Sequence, residues 1–478
     1  MTDALRFRAV RLPRHLGRLA AALGLVVSMG VASIVATSAA TPSAAAAPLG
    51  AGGEYHALEP ARILDTRIGI NDVDRPGVKT MTVEVSGTSN MFEVQILGQG
   101  GLPSDLSSVL AVAVNVTVVW PNAKGYLRVW GKGEAEGGSS LVNFESGEVV
   151  PNSAIIRPGA EGKVNIRLTS VGRSGTAHVL IDVFGWFSTN SFATNGARLI
   201  PVGPGRVFDS RHTGNPFGPG EIQAVQIRGA DSSSPAISDI VPNRTSVVGV
   251  LANITAVNGR AFSTGTYVSV RPDMPPPGVE PPTSNLNVVR GQIKPNLVLV
   301  PVNSAGQILL YNHAGDMDLI VDVVAYLEAR PADTREGRVV PLTAPFRVFD
   351  TRQGNFGATP LAPGKGEDWS FEAFANDVKI DGEWVGAQAA LIGNLTATNL
   401  QRPFGFFTPV DTFLTAYPTP PGGAAGPPPE VSNLNLVEGR DVPNMALLPY
   451  GEAYKVRMYN FNGFVDYLLD ATAVVLRD

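Results

Sequence analysis

No cysteine occurs anywhere in the 478 residues. That absence excludes disulfides, thiolate metal sites, cysteine nucleophiles and a lipid-modified cysteine, so each folded part must hold together through its apolar core. Charge is also scarce: Asp, Glu, Lys and Arg make up 17% of the chain, and the net charge is −5. So little charge is not the composition of a solvated disordered chain. With no clustered Lys or Arg there is no electrostatic footprint for nucleic acid either. Clean helical periodicity over ten or more residues is missing beyond the N-terminal segment, whereas 52 Gly and 38 Pro are present, which points to strands and turns. Catalytic signatures are lacking too: no G-x-S-x-G, no H-E-x-x-H, no phosphate-binding glycine loop and no D-x-D-x-D-G calcium loop.

The first fifty residues stand apart. Arg6, Arg8, Arg11, Arg14 and Arg18 precede an apolar run from Leu19 to Ala36, followed by "TSAATPSAAAAP". A basic start, an apolar middle and a small-residue end are the pattern of a secretory signal peptide, here taken as residues 1–47 with the small-residue segment. A single membrane anchor is the alternative, because the run is close to spanning length. Ser38–Ala40 and Ala45–Ala47 both suit cleavage. No second apolar span follows, so the expectation is a secreted, extracellular protein without membrane insertion after cleavage, soluble or associated with the cell surface.

What fills the rest is recurrence. "ARILDTRIG" at 61–69 returns as "GRVFDSRHTG" and "FRVFDTRQG", placing its acid at Asp65, Asp209 and Asp350. An apolar strand carrying N-x-T follows at Asn115, Asn253 and Asn394. Next come "SLVNF" at Asn143 and "SNLN" at Asn287 and Asn435, and then Pro-Asn at Asn152, Asn296 and Asn444. A strand holding one acid closes each copy, at Asp182, Asp322 and Asp470. Five markers in one order, three times, divide the chain into repeats at 54–188, 198–328 and 340–477. The period is too long for a solenoid, so each copy is expected to be a domain joined by the polar stretches "STNSFATNGA" and "EARPADTREG". Short β-branched runs between Gly, Pro and Asn give about eight strands per copy. The expected fold is therefore all-β: three tandem homologous β-sandwiches, jelly-roll-like, with a closed barrel as the alternative.

The ordered set R-hydrophobic-hydrophobic-D-[TS]-R, N-[VIL]-T, G-Y-L, S-x-L-N or S-N-L-N, P-N and a closing V-D-V resembles a repeat of exported actinobacterial proteins, where it occurs in tandem or beside other extracellular domains. The resemblance covers nearly all of 54–477. It implies an extracellular, surface-associated role and brings no established activity. Copy three departs from it, with "DATAVV" after Leu469 and "GFFTPV" in place of Gly-Tyr-Leu.

Chemically, the Asp-Thr-Arg triplet is a poor catalyst: a guanidinium keeps its proton, and Thr66 or Ser210 would need a base. The five histidines (His15, His56, His178, His212 and His313) share no place in the copies. A lone acid in an apolar closing strand needs a partner. The expected latches are Arg67 with Asp182, Arg211 with Asp322 and Arg352 with Asp470, while Asp65, Asp209 and Asp350 cap the turn through backbone N–H groups. Amides and aromatics suit sugars, which makes Asn287, Asn296 and Tyr267, with Asn143, Asn152, Tyr126, Asn435 and Asn444, the candidate ligand residues. Proline-rich loops such as "RPDMPPPGVEPPTS" are surface excursions or contact surfaces. The reading is an exported, non-enzymatic, multivalent binding or adhesion module for glycan or cell-envelope polymer, with no catalytic residue, cofactor or metal. A surface-layer or spacer role and an unrecognised hydrolase are the alternatives, and the oligomeric state is open.

Overall fold

The computed structural model describes Val10–Arg11 and residues 52–478 except 71–80, 86–89, 173, 190–191, 193–194, 258–264, 331–333, 354–358, 378, 381–382, 404–409 and 424–425. Apart from Val10–Arg11, which pairs with Trp369 and Ser370, the proposed leader lies outside the described residues.

In each repeat the β-branched runs form eight principal strands. The first repeat has β1 (Tyr55–Asp65), β2 (Met91–Gln95), β3 (Val109–Val119), β4 (Gly125–Gly131), β5 (Val142–Phe144), β6 (Val149–Ile156), β7 (Lys163–Ser170) and β8 (Gly175–Ser188). The second has β9 (Ala197–Asp209), β10 (Ile222–Gln226), β11 (Val247–Val257), β12 (Thr266–Arg271), β13 (Leu286–Val288), β14 (Lys294–Pro301), β15 (Gln307–Asn312) and β16 (Asp318–Ala329). The third has β17 (Val339–Asp350), β18 (Lys365–Ser370), β19 (Gln388–Gln401), β20 (Asp411–Pro418), β21 (Leu434–Val437), β22 (Val442–Pro449), β23 (Lys455–Asn460) and β24 (Phe464–Leu476).

An inner antiparallel sheet runs β1-β8-β3-β6, and its counterparts run β9-β16-β11-β14 and β17-β24-β19-β22. The outer sheets run β2-β7-β4-β5, β10-β15-β12-β13 and β18-β23-β20-β21. Two four-stranded sheets in this order make a jelly-roll β-sandwich, as the strand pattern predicts, rather than a closed barrel. Register also corrects one motif. Phe413 lies opposite Asn435 as Tyr126 lies opposite Asn143 and Tyr267 opposite Asn287, so Phe413 holds the aromatic position in copy three. The "GFFTPV" stretch falls mostly outside the described residues.

Both faces of the inner sheets are covered. Val112, Val114, Val116 and Val118 of β3 join a core with Leu127, Ile166 and Leu168 of the outer sheet. Ala111 and Ala113, which alternate with them, belong to a second cluster shared with Leu297 and Leu299 of β14 and Ala446 and Leu448 of β22. That double burial is why "VLAVAVNVTVV" reads as an unbroken apolar run instead of an alternation. The strands β6, β14 and β22 meet one another at the centre, so the repeats pack back to back around a common axis.

Near the start of the first strands the contact is ionic. Arg198 is fully buried and reaches Glu54 Oε1 at 2.9 Å; Arg338 Nη2 reaches the same oxygen at 3.1 Å. Arg198 Nη1 also donates to the carbonyls of Thr334 and Glu336. Among the described residues no helix is long and apolar enough to cross a membrane.

A shared apolar cluster couples the unfolding of one repeat to that of the others. Scanning calorimetry of residues 48–478 is therefore expected to show one cooperative transition. Three separable transitions, one per repeat, would contradict the back-to-back packing.

Candidate functional site

The opening triplet forms a closed knot, with a different arginine from the one expected at its far end. Arg62 Nε and Nη2 donate to the two oxygens of Asp182 at 2.8 and 3.0 Å. Arg206 holds Asp322 at 2.8 and 3.3 Å, and Arg347 holds Asp470 at 2.6 and 3.0 Å. The expected pairs Arg67–Asp182, Arg211–Asp322 and Arg352–Asp470 do not form. Those arginines follow the end of the strand and fold back onto Asp65, Asp209 and Asp350, with Nε–Oδ1 distances of 2.9, 2.8 and 2.8 Å. Register decides the matter, because it places Arg62, Arg206 and Arg347 directly opposite Asp182, Asp322 and Asp470. Asp65, Asp209 and Asp350 each accept the backbone N–H two residues on, which caps the turn. The signal was present in the sequence as an arginine three residues before each acid.

The hydroxyl of the triplet is spent as well. Thr66 Oγ1 accepts from the Val179 N–H and lies 3.3 Å from His178 Nδ1. Ser210 and Thr351 donate to Asp318 and Asp466 and accept from the N–H groups of Leu319 and Tyr467. Burial pushes the Asp65, Asp209 and Asp350 carboxyls up, but hydrogen bonds and charge from the arginines outweigh it and hold them below the usual range. At Asp182, Asp322 and Asp470 burial prevails over the arginine, and the carboxyl is raised.

Asn152, Asn296 and Asn444 are not open to a sugar: they are 1%, 1% and 2% exposed. Asn152 Nδ2 donates to Asn394 Oδ1 at 2.9 Å, Asn296 Nδ2 to Asn115 Oδ1 at 3.2 Å and Asn444 Nδ2 to Asn253 Oδ1 at 3.0 Å. In turn their Oδ1 atoms accept the N–H groups of Met445, Ser153 and Leu297. The amides of Asn115, Asn253 and Asn394 donate onward to the carbonyls of Ser284, Ser432 and Ser140 in the adjoining repeat. These six asparagines close a ring through all three repeats. The sequence offered no sign of it, because each link joins residues far apart in the chain.

The remaining candidates line clefts between repeats. Tyr267 and Asn287 line a cleft of about 570 Å³ with Arg62, Arg67, Thr117 and Trp120 of repeat one. Tyr126 and Asn143 line a cleft of about 290 Å³ with Arg347, Arg352 and Thr396 of repeat three. Asn435 borders a cavity of about 300 Å³ that takes in residues of all three repeats. In the first cleft Tyr267 stacks on His313 with centroids 4.5 Å apart and planes at 14°. Sequence reasoning overlooked a feature of the N-x-T strands. The hydroxyls of Thr117, Thr255 and Thr396 have no protein hydrogen-bond partner, although these residues are only 2%, 2% and 3% exposed. Thr117 and Thr396 each line a cleft.

The proline-rich loops lean on the preceding repeat. Arg271, at the base of one loop, pairs with Glu59, and the Glu430 N–H of the next donates to Ser234 Oγ at 2.9 Å. Among the described residues no cluster of acidic or histidine side chains is arranged to hold a metal.

No protein-family model and no curated protein matches the chain. Among solved structures, it is similar to a chain from an archaeal virus described as having a triple jelly roll fold and turret assembly (9% identity, 89% of this chain and 90% of that one, TM-score 0.17). It is also similar to the CBM22-1–CBM22-2 tandem domain of Paenibacillus barcinonensis Xyn10C (12% identity, 57% of this chain and 99% of that one, TM-score 0.16). TM-scores this low have no bearing on what this chain binds.

The two arginines of the motif separate cleanly by mutation. Arg206→Ala leaves Asp322 buried without its partner and should cost about 3–5 kcal/mol. Arg211→Ala removes a side chain that is 43% exposed and should cost about 1 kcal/mol or less. Chemical denaturation of both variants checks this, and equal losses would contradict the assignment. Acid provides a second check. Carboxyls held below their unfolded values stabilise the fold above about pH 4, and that contribution is lost as pH falls further. The unfolding temperature should drop between about pH 4 and 2, and less steeply in Arg211→Ala.

Proposed function

We propose that this is an exported, non-enzymatic protein that binds carbohydrate of a cell envelope or extracellular polymer in the clefts between its repeats. One observation carries the reading. The cleft between repeats one and two combines a stacked aromatic pair, guanidinium groups and a buried threonine hydroxyl that lacks a protein partner. A sugar presents an apolar ring face to an aromatic and a rim of hydroxyls to polar groups, and this cleft offers both. The smaller cleft offers a single aromatic, Tyr126, together with Arg352 and Thr396. Two weak sites on one body gain from simultaneous occupancy on a polymer. Export rests on the basic and apolar leader. Non-enzymatic action rests on the triplet, whose acids and hydroxyls are already committed to internal hydrogen bonds.

A purely structural role is the second reading. It is favoured by the spending of six recurrent asparagines on internal closure.

Retention on immobilised polysaccharides separates the two. Residues 48–478 should be retained by at least one polymer class. Tyr267→Ala should weaken retention severalfold, by the loss of about 0.5–1.5 kcal/mol of stacking. Absence of retention on every polymer, together with concentration-dependent assembly in light scattering, would favour the structural role.

A further inference from the structure

The cleft between repeats one and two departs from the recurrent pattern at two positions. Lys294 occupies the place held by Val150 in repeat one and Val442 in repeat three, two residues before the ring asparagine. Trp120 occupies the place held by Asn399 in repeat three, five residues after the N-x-T asparagine. Tyr267 stacks on His313 as Phe413 stacks on Phe461 in repeat three, whereas the residue opposite Tyr126 in repeat one is Thr169.

Trp120 has φ +48 and Asn399 φ +52. Asparagine tolerates this left-handed conformation, but a bulky aromatic held there is strained. The backbone stays in place through the Trp120 N–H bond to the Glu148 carbonyl at 2.9 Å, and the side chain remains 61% exposed at the cleft. Strain spent on an exposed indole marks a functional position.

Lys294 borders both this cleft and the central cavity. Its Nζ donates to the Val149 carbonyl at 3.0 Å, and it makes no ion pair among the described residues. Glu280 Oε1 stands 3.4 Å from His313 Nδ1 at the aromatic end of the cleft, and the charges nearer Lys294 are already matched. Arg62 and Arg67 are held by Asp182 and Asp65, Glu148 by Arg440, and Glu145 and Asp441 by Lys124. Asp411 lines only the central cavity. Burial pushes the Lys294 ammonium down to about 8, with Glu148 acting against that shift and Arg440 with it. A half-buried cation without a counter-charge, standing where its equivalents are valines, is destabilising unless a ligand supplies the anion.

Building on the carbohydrate reading, we infer that this cleft selects an acidic sugar, with Lys294 holding its carboxylate or phosphate and Trp120 and Tyr267 stacking on the sugar ring. The Thr117 hydroxyl and the Asn287 amide lie in the same cleft and supply hydrogen bonds to the sugar hydroxyls.

The test is titration calorimetry on residues 48–478 with three probes: a galacturonate oligomer, a phosphorylated glucan oligomer and an uncharged glucan oligomer. At least one acidic probe should bind at pH 7, and whichever does so identifies the anion as uronate or phosphate. Lys294→Met should weaken that probe about tenfold or more, the value of one charge-assisted hydrogen bond. Its melting temperature should stay at or above that of the parent, which shows that the fold is intact. Affinity for the acidic probe should also fall from pH 7 to 9.5, with proton uptake on binding near pH 8. Trp120→Asn should weaken every probe that binds. If the uncharged glucan binds as well as the acidic probes and Lys294→Met changes nothing, the anion assignment is overturned while carbohydrate binding stands. If none of the probes binds and no polysaccharide retains the protein, both readings fall.

Discussion

A side-chain amide buried without partners costs about as much as several ordinary hydrogen bonds return, so six can be buried only if all are paired. The asparagine ring meets that condition through closure. Each repeat contributes one amide that reaches to a neighbour and one that receives, so any open arrangement would leave a donor and an acceptor stranded. The links with the N–H groups of Ser153, Leu297 and Met445 tie the same amides to the edges of β6, β14 and β22, which fixes where each inner sheet sits against the next. Three repeats close this circuit, and two would leave it broken.

Near the start of the first strands, closure is combined with asymmetry. Glu54, Arg198 and Arg338 hold matching places in the three repeats, and the two arginines converge on one carboxylate oxygen. Three arginines there would put like charges together in a buried site, and three glutamates would do the same with the opposite sign. One acid between two bases is tolerated, and it distinguishes the repeats from one another.

How much of this was legible follows from where the information lies. The strands, the sandwich and the threefold recurrence are properties of local pattern and spacing, and reading along the chain exposes them. The latch was half legible. An arginine and an acid had to meet, but two arginines flank each acid, and the choice between Arg62 and Arg67 depends on a register that shifts between Ile181 and Asp182. The ring was not legible, because Asn152 and Asn394 are 242 positions apart and "PN" reads as a turn until the back of the inner sheet is known to be covered. The same packing splits the candidate sugar residues, moving Asn152, Asn296 and Asn444 into the interior and leaving Tyr126, Asn143, Tyr267 and Asn287 at the clefts.

The clefts are a consequence of the ring. Each is walled by the arginine strand of one repeat and the aromatic strand of the next, so neither wall makes a site alone. A ligand held across such a cleft binds the closed arrangement and not its parts, and so stabilises it by mass action. Covalent linkage then allows what an assembly of identical subunits cannot. Tyr126, Tyr267 and Phe413 share one place in the fold, as do Val150, Lys294 and Val442, yet each junction carries its own combination. The ring holds the three junctions alike, and so a lysine or a tryptophan can appear at one of them without disturbing the rest.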